Sequence, residues 1–205
     1  MDFNESYRRT PPWDIGRAQR EIVRLAESGK LSGDVIDLGC GTGENAMMLA
    51  AKGNRVLGID SAPRAIAKAR SKAKERGSMA EFRVADALGL QALGRQFDAA
   101  IDCGLFHTLS DDQRGIFAAS LKAAIRPGGR CFILCFSEQE PSDWGGPRRV
   151  TKEEILETFD DGWRVDAIDA AKLEGTGLGE GGRAWLASLT RQDSARAGRR
   201  SAYFP

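Results

Sequence analysis

The chain has 205 residues, 41% of them hydrophobic, enough for one domain with a single sizeable core. Lys and Arg total 30 against 29 Asp and Glu, so the formal net charge of +1 offers no global field for nucleic acid or an anionic membrane. No apolar run reaches the roughly 20 residues a membrane helix needs. The polar opening MDFNESYRRTPPWD also lacks the apolar core of a secretory signal, so a soluble cytoplasmic protein is expected.

In chain order, DVIDLG (34–39) predicts a short buried strand ended by glycine, and ENAMMLAAKG (44–53) a helix closed by Gly53. RVLGID (55–60) predicts a second strand. Ser61 offers an N-cap and Pro63 suits the first turn of a helix running to Gly77. AEFRVAD (80–86) predicts a third, less buried strand, and LGLQALGRQ (88–96) a loop or short helix. FDAAIDCG (97–104) is the fourth strand. Ser110, Asp111 and Asp112 open a helix that stops before RPGG, and RCFILCFS (130–137) is the fifth strand. Thr151 and Glu154 form a capping box for a helix through Phe159. WRVDAID (163–169) and RAWLASLTR (183–191) are two final strands joined without a helix across EGTGLGEGG.

Alternation of strand and helix, with nearly continuous apolar strands, predicts an α/β protein. Its doubly wound seven-stranded sheet is mostly parallel with one antiparallel strand. One domain is expected over residues 1–191, with a basic C-terminal tail at 192–205. Ligands of such sheets bind beyond the carboxyl ends of the strands. Cys40, Cys103, Cys131 and Cys135 match neither a CxxC pair nor a zinc framework, and with His107 the sole histidine no metal is expected. Cys131 and Cys135 share a strand and a face, and read as small hydrophobes.

Gly39, Gly41 and Gly43 sit where the first strand meets the first helix, so a ligand can approach bare backbone there. A dinucleotide fingerprint would put its third glycine at position 44, which is Glu44. An acid at a helix start opposes a pyrophosphate. The ligand expected there approaches closely and carries no phosphate. Asp60 ends the second strand, 21 residues after Gly39, where its carboxylate can accept from both ribose hydroxyls, although an acid there also commonly caps the next helix.

VIDLGCGTG resembles the glycine motif of class I S-adenosylmethionine-dependent methyltransferases, and the resemblance extends over residues 34–191. It implies a Rossmann-like methyltransferase fold and S-adenosyl-L-methionine as cofactor. It also implies that Asp37 supports the turn and the methionine amine, and that Asp86 and Ala87 contact adenine. Asp86 has the same alternative role as a cap. The residues TPPWDIGRAQ (10–19) with DCGLFHTL (102–109) resemble the small-molecule subgroup of thiol, thiopurine and heterocyclic-toxin methyltransferases. In that subgroup the N-terminal segment, here 1–20, covers the cofactor, with Trp13 near its methionine end. The usual GRPQ reads GRAQ here, with Ala18 in place of proline.

The cofactor-binding set is therefore Trp13, Asp37, Gly39, Gly41, Thr42, Gly43, Asp60, Ser61, Asp86, Ala87 and Asp102. Phe106, His107 and Trp144 are assigned to the acceptor. Phe106 has core filling as its alternative, and Trp144 a pinned surface loop. His107 is the candidate general base, against the alternative of packing beneath the cofactor. The expected reaction is methyl transfer to oxygen, nitrogen or sulfur of a small, mostly apolar heterocyclic, phenolic or thiol acceptor. An RNA-directed methyltransferase is the alternative, resting on Arg191, Arg196, Arg199 and Arg200. A non-catalytic S-adenosylmethionine-binding protein is a third reading, and a nicotinamide oxidoreductase a distant fourth.

Overall fold

A seven-stranded sheet organises the computed structural model, which describes residues 2–141 and 145–193. β1 (Asp34–Leu38), β2 (Arg55–Asp60), β3 (Glu81–Val84), β4 (Phe97–Cys103), β5 (Ile125–Phe136), β6 (Trp163–Leu173) and β7 (Gly182–Arg191) stand in the order β3-β2-β1-β4-β5-β7-β6. β7 runs antiparallel to both β5 and β6, while the pairs from β3 to β5 are parallel. This is the predicted doubly wound sheet with one antiparallel strand.

Every residue of β1 is buried, because alternate side chains feed two different cores. Ile36 and Leu38 join Phe117 and Leu121 of α5 (Asp111–Ala124) and Ile155 of α6 (Lys152–Thr158) on one face. Val35 packs on the other face with Ile22 of α2 (Arg20–Glu27), Leu49 of α3 (Glu44–Ala51) and Ile66 of α4 (Pro63–Arg76). A strand covered on both faces has no solvent side, which explains why Val35, Ile36 and Leu38 are all apolar. Cys131 and Cys135 lie in the first of these cores and are fully buried. No helix among the described residues is long and apolar enough to cross a membrane.

Local signals hold at most helix ends. Ser110 and Thr151 each form a complete capping box, with Gln113 and Glu154 respectively. Pro63 opens α4, but Ser61 is not its cap: the cap position is Ala62, whose amide binds the Asp60 carboxylate instead. The third strand is shorter than expected, and residues Ala87–Leu93 form two short 3-10 turns broken at Gly89. β5 begins five residues earlier than its predicted start at Arg130. Ile125 pairs with Phe97, Arg130 pairs with Ala99, and the intervening RPGG bulges out of the ladder.

The N-terminal segment, with its single helical turn α1 (Phe3–Ser6), lies across the carboxyl ends of β1 and β2 and is tied down on both flanks. On one flank Arg64 donates its amide to Asn4 Oδ1 at 3.0 Å, and Lys68 Nζ reaches the Arg9 carbonyl at 2.9 Å. On the other, Arg17 clasps both oxygens of Glu174 at 2.9 Å each. Gln19 exchanges two hydrogen bonds with the Glu174 backbone, and Thr176 donates its amide to the Pro12 carbonyl at 2.7 Å. The Arg17 guanidinium holds the Glu174 carboxyl down to about 2. Replacing Glu174 by Ala is expected to speed tryptic cleavage after Arg17 and Arg20 roughly three- to tenfold by loosening this segment. An unchanged digestion time course would show that Glu174 does not hold it.

Candidate functional site

Between Leu38 and α3 the chain turns through Gly39, Gly41 and Gly43, with φ of 63°, 54° and 86°. Such values suit glycine alone among common residues. The close approach is first of all the protein's own. A Cβ on Gly41 would stand 2.8 Å from the Tyr7 phenol oxygen, and one on Gly43 2.6 Å from the Phe82 ring. The turn is thus wedged between the N-terminal segment and β3, while its Cys40 amide is fixed to the Ile59 carbonyl at 2.8 Å.

Three carboxylates line this end of the sheet. Asp60 accepts from the Gly41 amide at 3.0 Å through one oxygen and from the Ala62 amide at 2.8 Å through the other. Each oxygen therefore keeps a remaining lone pair, and the Ala62 contact is the capping role given above as the alternative for Asp60. Burial raises the Asp60 pKa, with the two amides opposing. Asp37 is raised well above the usual carboxylate range by burial and by the charges of Asp102 and Asp60. Asp102 is pushed up to about 7 by burial, against the pull of backbone amides from the following turn. One oxygen on each of Asp37 and Asp102 is buried with no hydrogen-bond partner.

The other assigned residues divide. Thr42 donates to Asp14 at 2.9 Å and accepts from Lys72 Nζ at 2.7 Å, tying the turn to the N-terminal segment. Trp13, 39% exposed, donates its indole N–H to Tyr7 and packs edge-on against Phe3 and Tyr7. Asp86 uses one oxygen to cap the turn that follows, through the Leu88 amide at 2.9 Å, with Ala87 buried beside it. Ser61 is exposed. Glu44 is bound by Lys72 and Arg76 at 2.8 and 2.7 Å. Its charge is thereby compensated, so Glu44 by itself does not set the start of α3 against a pyrophosphate.

On the acceptor side two assignments change. Phe106 is fully buried between Phe117 and Phe159, with the Arg114 guanidinium 4.8 Å from its ring centre, so it fills core and presents no face to an acceptor. His107 is buried and stacks on Phe136 at 5.0 Å, and its Nδ1 accepts the Phe136 amide at 3.2 Å. Burial, with the nearby Arg114 charge, lowers its pKa to about 4. The neutral ring then carries its proton on Nε2 and has no free lone pair for a substrate. His107 is a packed structural histidine, which removes it as general base. Trp144 lies outside the described residues, as do Arg196, Arg199 and Arg200. Arg191 turns its guanidinium onto the Ile125 carbonyl at the end of the sheet, which takes it out of the basic patch assigned to RNA.

A family model described as a methyltransferase domain matches residues 35–129. The 2-heptyl-1-hydroxyquinolin-4(1H)-one methyltransferase of Mycobacteroides abscessus is 37% identical over 188 residues, which cover 90% of this chain and 83% of that protein. The chain belongs to the class I S-adenosylmethionine-dependent methyltransferases. A solved structure from the conversion of a disulfide bond into a thioacetal group during echinomycin biosynthesis superimposes with a TM-score of 0.84. It has 35% identity and covers 94% of this methyltransferase and 92% of that chain. A probable thiol methyltransferase 2 of Arabidopsis thaliana is 28% identical over 66% of this methyltransferase and 60% of its own length.

The residues present fit S-adenosylmethionine. Unpartnered buried oxygens on Asp37 and Asp102 match a cofactor with a cationic amine and sulfonium. A pyrophosphate would bring further negative charge beside acids whose own ionisation burial already disfavours.

The sequence reading passed over Tyr7, Asn45, Lys72 and Glu174. Lys72 links Thr42 to Glu44, and Asn45 accepts the Gln19 amide at 2.9 Å. Nothing in NESYRR marks Tyr7 as buried; its burial comes from its contact with the glycine turn. Asp102 has a folded pKa above its unfolded one, so its contribution favours the folded state at low pH and is lost as pH rises through about 7. His107 works with the opposite sign, its contribution being present above about 6.5 and lost as pH falls toward 4. Asp102→Asn is therefore expected to raise the Tm of cofactor-free protein at pH 8 by at least about 3 °C, with little change at pH 4.5. Melting curves at the two pH values check this, and equal shifts at both would contradict it.

Proposed function

We propose that this methyltransferase transfers the methyl group to oxygen, nitrogen or sulfur of a small, largely apolar acceptor, foremost an acidic hydroxyl on a nitrogen heterocycle. The observation that carries the reading is His107. It is buried with its acceptor nitrogen bound to a backbone amide, so it offers no lone pair to an acceptor, which favours an acceptor that ionises readily. The 37% identity over most of the chain to a hydroxyquinolone methyltransferase points to the same chemistry, because a hydroxyl on such a ring is far more acidic than an alcohol. Thiols form a second class for the same reason, favoured by the likeness to the plant thiol methyltransferase.

When bound, S-adenosylmethionine supplies an electrophilic methyl on a cationic sulfonium. The protein's part is to hold, align and exclude water. Asp60 offers its remaining lone pairs to the ribose hydroxyls, and Asp37 and Asp102 face the cationic methionine end. Asp86, with its second oxygen, and the neighbouring Ala87 serve the adenine. Residues 1–20, with Trp13, form the cover of one unit spanning 1–191, and the clasp on Glu174 keeps that cover closed over the turn.

The test is a mass-spectrometric screen of hydroxyquinolones, phenols and thiols with S-adenosylmethionine. A hydroxyquinolone or thiol gaining one CH2 is expected, whereas no methylation in these classes would overturn the reading. Asp60→Ala is expected to weaken S-adenosylmethionine binding at least tenfold by calorimetry, about 1.4 kcal/mol or more. Unchanged affinity would remove Asp60 from the site.

A further inference from the structure

Tyr7 is 4% exposed although it stands among charged neighbours. Its phenol oxygen accepts the Trp13 indole N–H at 2.9 Å and lies 2.8 Å from where a Cβ on Gly41 would sit. An indole nitrogen only donates, so this bond occupies a lone pair of the phenol and leaves the phenol proton uncommitted. Among the described residues, Trp13 is the one hydrogen-bond partner of this hydroxyl. Burial and the charge of nearby Asp60 raise the Tyr7 pKa, so the proton stays on the oxygen at neutral pH.

The donor count at this spot is unbalanced. A ribose diol brings two O–H donors and two oxygens that accept. Asp60 can take the donors on its remaining lone pairs, but a carboxylate offers nothing to the diol oxygens. The amides of Gly41 and Ala62, which flank Asp60, are already committed to it. The phenol of Tyr7 is a buried, uncommitted donor over the same turn, whereas the Ser61 hydroxyl beside Asp60 is exposed to solvent.

We propose that Tyr7 is a cofactor-binding residue whose O–H donates to a ribose hydroxyl oxygen of S-adenosylmethionine, completing what Asp60 begins. This rests on the placement of the ribose at Asp60. The Trp13 indole fixes the phenol's direction and polarises it, which strengthens the donor.

Calorimetry with S-adenosylhomocysteine and its 2′-deoxy and 3′-deoxy analogues tests the assignment. Tyr7→Phe is expected to weaken S-adenosylhomocysteine about tenfold, in the range of one buried hydrogen bond. For one of the two deoxy analogues, the variant and the parent protein are expected to bind within about twofold, since the partner oxygen is missing. An unchanged affinity for S-adenosylhomocysteine would overturn the assignment. So would an equal loss for all three ligands, which would mark Tyr7 as a packing element of the N-terminal segment. Asp60→Ala run in parallel separates the two levels. Full binding by that variant defeats the ribose placement itself, whereas its loss alongside an unaffected Tyr7→Phe defeats the Tyr7 assignment alone.

Discussion

One carboxylate joins the two turns on which the site is built. Asp60 binds the Gly41 amide in the first strand-to-helix turn and the Ala62 amide in the second. Neither turn could hold its shape against the packing around it if those amides were left unpaired in a buried place. Gly41 sits under Tyr7 and Gly43 under Phe82, so the turn has no slack, and a shift of one amide would move the whole concavity. The lysine that reaches Thr42 and Glu44 adds a second brace from α4.

That brace carries a cost, which the neighbouring acids make plain. Asp37, Asp60 and Asp102 are buried close enough to repel one another, and two of their oxygens have no partner. A protein selected for stability alone would not keep unpaired carboxylates at the end of its central strands. A cationic ligand removes both penalties at once, by screening the repulsion and by satisfying the lone pairs.

Much of this was legible from residues. The apolar runs gave the sheet and its doubly covered strands, and DLGCGTG with Asp60 located the site, because glycine placement and strand-end acids follow from backbone geometry. Side-chain direction was harder to read. Phe106 and His107 lie in one short turn after β4, and nothing in the spacing of LFHT tells which side chain enters the core. The deciding contacts, Phe117, Phe159 and Phe136, come from distant parts of the chain. Glu44 shows the same limit: its charge looked free until Lys72 and Arg76, on the next helix, were seen to neutralise it. Glu174 was hidden in a glycine-rich connection where composition alone suggested only a loop.

The clasp between Arg17, Gln19 and Glu174 links segments more than 150 residues apart. During synthesis the chain leaves the ribosome from its N-terminus, so the first twenty residues emerge long before β6 exists to receive them. Their contacts with Thr42 and α4 can form early, whereas the ties to Glu174 wait until the sheet has assembled. Closing so long a loop is a late event in folding. The C-terminal hairpin therefore supplies the last ties that hold residues 17–19 in place.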